Sequence, residues 1–262
     1  MSSFSSRLAR RVAGVHLRGV GALSRGRPLP LRYWLGARAP LGILSRQPHP
    51  LLPPEQGHTS MGATLAVPEL RQLLADDELG TWALDHRTLE FLWECLGREQ
   101  PSVIVEVGAG ASTLVLARYA ASRSVETGTP HIVFSLEQGH DVKEKVERRL
   151  EEQGLAEHVH VIHAPVSAQG TPEWGSELLR EAFDARRADW VLIDGPAGPE
   201  GCRAWTLPLL REFCRPGAHW FLDDSFRDGE LRILREWSRL PGVAVEGIYP
   251  FGKGLATGRV TP

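Results

Sequence analysis

The chain is poor in cysteine: Cys95, Cys202 and Cys214 are all it has, an odd number with no CxxC pair. That excludes a disulfide framework and a structural zinc site, and makes a reducing compartment the natural reading. No run approaches the ~18 consecutive apolar residues that a membrane-crossing helix needs. No G-x-x-x-x-G-K-[ST] loop occurs, which excludes the phosphate cradle of P-loop hydrolases. Internal repeats are absent as well. Residues 1–60 lack lysine and hold Glu55 as their one acid, yet they carry nine arginines. The net charge of −2 therefore conceals a basic leader and an acidic body. An acidic body argues against nucleic acid as a partner, because phosphate binding needs a basic face.

What is present is 42% hydrophobic and 24% charged residues, the composition of a globular protein with one sizeable core. In the leader, Phe4, Leu8, Val12 and Val15 recur every three or four positions among Arg7, Arg10, Arg11 and Arg18. A basic amphipathic helix without acids is the pattern of a mitochondrial transit peptide, which predicts a matrix location. Met61 is an alternative start, and a chain beginning there would be cytoplasmic. Pro28 to Pro54 is Pro-rich without a sustained period and reads as linker. The expected organisation is a leader and disordered linker over 1–60 and one folded domain over 61–262.

Residues 65–100 hold apolar positions at helical spacing, including Leu70, Leu73 and Leu74, then Leu89, Leu92, Trp93 and Leu96. Strands are expected at 103–107, 131–136, 158–163, 189–193 and 218–222, separated by helical segments. In "HDVKEKVERRLEEQG", Asp141 and Glu144 suggest a capping box, Val142, Val146 and Leu150 an apolar stripe, and Gly154 a stop. Strands apolar on both faces, such as "WVLI", suit a sheet covered on both sides. The predicted fold class is α/β, a Rossmann-like doubly wound, mostly parallel sheet whose ligands lie at the carboxyl ends of the strands. "VAVEGIY" and "GLATGRV", joined by "PFGKG", read as a terminal hairpin.

The run "VIVEVGAGAST" ends a strand on Gly108 and Gly110 with an acid, Glu106, just before them. A dinucleotide fingerprint would carry a third glycine where Thr113 stands, and Glu106 would face added negative charge. A ligand with a cationic part reverses that sign, and an acid in an apolar strand is costly without a partner. "EVGAGAS" resembles the first motif of class I S-adenosylmethionine-dependent methyltransferases. "IVFSLEQ", "HVHVIHAP", "DWVLIDGP" and "LLREFCRPGAHWFLDD" follow in the order of that family's second to fifth strands. The resemblance covers about residues 80–260, and it looks most like bacterial-type O-methyltransferases. It implies a seven-stranded sheet with an antiparallel last strand, and S-adenosylmethionine bound by Glu106, Gly108, Gly110, Ser112, Glu137 and Asp194. Glu137 would take both ribose hydroxyls, as a carboxylate can. Ser112 could equally serve as a helix N-cap.

Asp194, Asp223 and Asp224 end the predicted fourth and fifth strands, which should bring three carboxylates together. They would repel one another unless a cation or a substrate amine sits among them. Oxygen ligands suit Mg²⁺, which could acidify an acceptor hydroxyl. The spacing also resembles the metal acids of catechol O-methyltransferase-like enzymes, with Asp224 where those have asparagine and Ala197 where they have lysine. Without a metal, Asp194 would bind substrate or the methionine part, and Asp223 would cap the next helix. Asp194 and Asp223 are the expected catalytic residues. His163 and His219 read as packing or cofactor-edge residues. Trp82, Trp174 and Trp205 read as core or pocket wall. Lys253 reads as a solvated turn or a reach to the site mouth. The expected activity is O-methyl transfer to a small molecule. The rivals are a cofactor-binding assembly protein without turnover, a nicotinamide oxidoreductase, and polyamine synthesis on the same fold.

Overall fold

In the computed structural model, which describes residues 27–31, 65–75, 84–250 and 252–262, strands and helices alternate. Helices α1 (Pro68–Leu73) and α2 (His86–Glu99) precede β1 (Val103–Val107), α3 (Ala111–Thr127), β2 (Ile132–Glu137), α4 (His140–Glu152) and β3 (Val159–His163). Then come α5 (Ser176–Phe183), β4 (Ala188–Ile193), α6 (Thr206–Leu210), β5 (Cys214–Leu222), α7 (Asp228–Trp237), β6 (Val243–Tyr249) and β7 (Leu255–Val260). The strands form one seven-stranded sheet in the order β3-β2-β1-β4-β5-β7-β6. Strands β1 to β5 pair in parallel, and β7 runs antiparallel between β5 and β6. This is the expected Rossmann-like fold with its terminal hairpin.

Alternation along each strand feeds two cores. In β1, Ile104 faces one core with Leu89, Leu114 and Trp190, while Val103, Val105 and Val107 face the other with Phe134, Val191 and Leu222. Helices α1 to α4 cover the first face and α5 to α7 the second. On the second, Trp220 and Trp237 meet edge to face at 5.6 Å and 87°, a contact worth about 1 kcal/mol beyond its buried area. Because β1 sends its chain to one side and β4 receives it from the other, a crevice opens above the carboxyl ends of these two strands.

Helix α3 is buried along its first turns, from Ala111 through Ala117, so its small and aliphatic residues pack tightly beside the sheet. It stops at Gly128, whose φ of +67° suits a residue without a side chain. Helix α4 starts differently from expectation. Its N-cap is Gly139, Asp141 lies inside the first turn, and no side chain caps it. Val142 leaves the apolar stripe and is exposed, whereas Val146 and Leu150 are buried.

The Pro-rich stretch is not wholly outside the fold. Leu29 forms a bridge to Ile248 on the free edge of β6, with N–H···O distances of 3.0 and 2.9 Å. Pro28 and Pro30 flank it and have no N–H, so the outer side of the strap offers no donor at those positions to a further strand. Gly247 permits the approach, since a Cβ there would lie 2.4 Å from the Leu29 carbonyl oxygen. The transit-peptide helix and Trp82 lie outside the described residues.

Candidate active site

The turn between β1 and α3 is shaped by two glycines from different strands. Gly108 has φ +93°, and a Cβ on it would meet the Gly195 nitrogen at 2.9 Å. A Cβ on Gly195 would meet the Gly108 backbone at 2.9 Å in turn. The ends of β1 and β4 therefore touch backbone to backbone, which only paired glycines allow. Gly110 differs: a Cβ there meets nothing within 4 Å, so its bareness keeps the space above α3 open.

Glu106 does not face that space. It is fully buried on the α3 side of the sheet. Its carboxylate accepts hydrogen bonds from Ser112 Oγ (2.5 Å), Thr113 Oγ1 (2.6 Å) and Ser135 Oγ (2.7 Å). The N-terminus of α3 adds the positive end of its dipole. Burial still outweighs these donors and pushes the carboxyl up to about 7. Glu106 is not among the residues that line the cavity, and it organises the turn through hydroxyls. Thr113 also accepts from the Gly110 N–H at 2.9 Å, so the residue in place of a third glycine ties the turn to the acid. Ser112 lines the cavity but spends its proton on Glu106, and it is not the N-cap, which is Gly110.

The crevice is a cavity of about 540 Å³. Gly108, Gly110, Ser112, Glu137 and Asp194 all lie on its wall. Glu137 is held by backbone donors, Ala109 N–H at 2.8 Å and Gly139 N–H at 2.7 Å, one on each oxygen. Each oxygen keeps a lone pair for a ligand hydroxyl. Burial raises its carboxyl above the ordinary value, against the pull of these N–H groups. Trp174 and Trp205 stand edge to face at 5.5 Å and form part of the wall. Trp205 Nε1 donates to Gly170 O at 2.8 Å, which fastens one wall loop to the other. Charge is not of one sign here. Glu137, Asp141 and Asp194 are acidic, but Lys145 and Arg149 of α4 also line the cavity.

Asp194, Asp223 and Asp224 converge as expected, offering one oxygen each within 4.8 Å of one another. They are not free, however. Arg203 Nη2 lies 3.2 Å from Asp224 Oδ2 and 3.7 Å from Asp194 Oδ1. Lys253 Nζ lies 2.9 Å from Asp224 Oδ1 and 3.9 Å from Asp223 Oδ2, and Arg227 Nη2 lies 2.9 Å from Asp224 Oδ2. Three cations already share the carboxylates, so a divalent ion would have to displace them to reach these oxygens. Lys253 is therefore no solvated turn. Asp224 takes φ +60°, an αL geometry aspartate tolerates, and turns its carboxylate toward these cations. Asp194 alone of the three acids reaches the cavity wall. Burial pushes its carboxyl up to about 7, against the pull of Arg203. Burial and the two neighbouring aspartates raise Asp223 well above its usual range, whereas Arg203, Lys253 and Arg227 hold Asp224 below it against burial.

His219 is more than packing: its Nδ1 meets Glu99 at 2.7 Å and its Nε2 meets Thr257 Oγ1 at 2.6 Å, a buried polar link away from the cavity. His163 is exposed at the end of β3, with Nε2 3.2 Å from Gln138 O. Sequence reasoning missed Arg203, Gly195, Ser135, and the cavity faces of Lys145 and Arg149. A G-P pair after an acid is a turn signal that could have drawn attention to Gly195; the others carry no local signature.

A family described as a methyltransferase domain matches residues 105–225, from β1 through the acids after β5. No curated protein matches the chain in sequence. A methyltransferase from Geobacter sulfurreducens is 20% identical with a TM-score of 0.53, over 81% of this chain and 92% of that one. The O-methyltransferase from Bacillus cereus, solved in complex with SAH, is 16% identical with a TM-score of 0.53, over 88% of this chain and 100% of that one. The O-methyltransferase TomG from Streptomyces achromogenes, involved in tomaymycin synthesis and solved with SAM, is 17% identical with a TM-score of 0.52, over 79% and 92%. At these identities the solved structures speak for the fold, and the domain match speaks for the strand ends that carry the site. Over residues 105–225 the chain matches that methyltransferase domain, and its fold is that of the solved methyltransferases.

Proposed function

We propose that the protein moves a methyl group from S-adenosylmethionine to an oxygen of a small-molecule acceptor. One observation carries the reading: the cavity above Gly108 and Gly110 has Glu137 on one side and Asp194 on the other, with room between. The residues present fit the cofactor. Glu137 keeps lone pairs for ribose hydroxyls, and Gly110 leaves a cradle that a Cβ would enter. When bound, S-adenosylmethionine supplies an electrophilic methyl on a sulfonium. The chain's own part is to hold, orient and exclude water. The paired tryptophans wall one side with apolar surface, and Asp194 is the carboxylate placed to accept a proton from an acceptor hydroxyl. A carboxyl lifted to about 7 is matched to that task at neutral pH. Asp223 lies behind the wall and serves Asp194 electrostatically. The Arg-rich leader supports action in the mitochondrial matrix.

The test is calorimetry with S-adenosylhomocysteine and NAD, followed by incubation of the full chain with methyl-labelled cofactor and a fractionated small-molecule extract. Binding of the homocysteine compound, no binding of NAD, and a labelled methyl ether or ester are expected. NAD bound in preference would overturn the reading. Cofactor bound with no labelled product in any fraction would favour a binding protein without turnover.

A further inference from the structure

An oxygen-ligand site for a divalent ion needs carboxylate oxygens that face the ion and nothing else. Asp194, Asp223 and Asp224 meet the distance requirement. Asp223 Oδ2 and Asp224 Oδ1 are buried and accept no hydrogen bond, but both lie within ion-pair distance of Lys253 Nζ, so they do not face an empty site. Arg203 bridges Asp224 and Asp194, and Lys253 bridges Asp224 and Asp223. Arg203 has a side chain only 6% exposed, and it is held in place by backbone as well. Its Nη1 donates to Asp223 O at 3.2 Å and its Nε to Pro196 O at 3.4 Å. A guanidinium cannot leave the site by losing its proton. Arg227 closes Asp224 from the outer side, and buried Glu230 faces both arginines. A divalent ion entering here would meet three like charges.

We propose that this methyltransferase works without a divalent cation, because Arg203 and Lys253 form an internal cation pair in the ion's place. The pair joins three parts of the chain: the loop after β4, the end of β5, and the β6–β7 turn. Asp194 is thereby kept at the cavity wall beside carboxylates that would otherwise repel it. The consequence for substrate is direct. With no ion to chelate, a vicinal diol gains nothing from its second oxygen, and the acceptor class is a compound presenting a single hydroxyl or carboxyl. That consequence rests on the methyl-transfer reading of the site; the exclusion of the ion does not.

The experiment titrates the full chain with Mn²⁺ and follows the free-ion EPR signal, with S-adenosylhomocysteine binding measured by calorimetry on the same samples. Wild type should leave the free-ion signal unchanged up to about 1 mM, the weak end of built oxygen sites. Lys253→Gln frees Asp223 and one oxygen of Asp224, and should bind Mn²⁺ roughly tenfold or more tighter than wild type. Saturable Mn²⁺ binding by wild type that Asp223→Asn abolishes would overturn the proposal. So would a folded Lys253→Gln indistinguishable from wild type. If that variant fails to fold, the wild-type titration decides alone. Loss of S-adenosylhomocysteine binding with no Mn²⁺ uptake would instead remove the methyl-transfer reading and leave the cation pair standing.

Discussion

Replacing Glu106 by glutamine separates two roles that its position could serve. In the folded protein its carboxyl sits at about 7, against an ordinary 4.5, because burial disfavours the charge more than three hydroxyl donors favour it. The folded state therefore binds this proton more tightly than the unfolded chain does. Stability from this group is complete below pH 4.5 and is lost as pH rises through about 7. At about 1.4 kcal/mol for each tenfold change in proton affinity, the loss is roughly 3 kcal/mol by pH 8. Glutamine is neutral and of the same shape, and Ser112, Thr113 and Ser135 are hydroxyls that can turn to accept from its amide. Urea unfolding of wild type and Glu106→Gln at pH 4.5, 6 and 8 should show curves that diverge as pH rises, the variant gaining on wild type by ~3 kcal/mol. Parallel curves across that range would refute the assignment of a raised carboxyl. Because Glu106 is off the cavity wall, S-adenosylhomocysteine affinity should change by less than about tenfold. A larger loss would return Glu106 to direct contact.

Glu137→Ala should weaken S-adenosylhomocysteine binding by about 2 kcal/mol, roughly thirtyfold in calorimetry, since it removes hydrogen bonds to a charged group. Gly195→Ala places a Cβ 2.9 Å from the Gly108 backbone, and should cost about 1–3 kcal/mol, seen as a Tm lower by roughly 5 °C in scanning calorimetry. Asp194 must be ionised to take a proton, so the rate of methyl transfer should rise with pH through about 7 and then level off. Asp194→Asn should lower kcat by about 10²–10⁴-fold and abolish that rise, and a variant that keeps it would assign the rise to another group.

Most of the fold was legible because the central strands β1 and β4 are almost wholly apolar along both faces and are followed by glycine. β1, β4 and the terminal hairpin lie within one or two residues of expectation for that reason. The edge was not legible. Leu29 pairs with β6 through its backbone and packs its side chain against the core, but a single apolar residue between two prolines has no period to mark it. The site divides in the same way. Gly108, Gly110, Glu137 and Asp194 share one cavity wall because each lies at or just beyond a strand end, where topology decides what it meets. Arg203 was missed because a lone arginine in a Gly- and Pro-rich loop has no period and no neighbour to betray its target. Glu106 lies between these cases. Its cost in an apolar strand correctly demanded a partner, but sequence cannot say which. Ser112 and Thr113 lie six and seven positions away and Ser135 twenty-nine, and only the pairing of β1 with β2 brings all three to one carboxylate. The three aspartates follow the same rule. Their mutual repulsion demanded a cation, and the fold answered with two arginines and a lysine drawn from the loop after β4, the turn into α7 and the β6–β7 turn. A sequence thus states the electrostatic debt of a buried acid well before it states who settles it, and an ion should be inferred only after the chain's own cations have been placed.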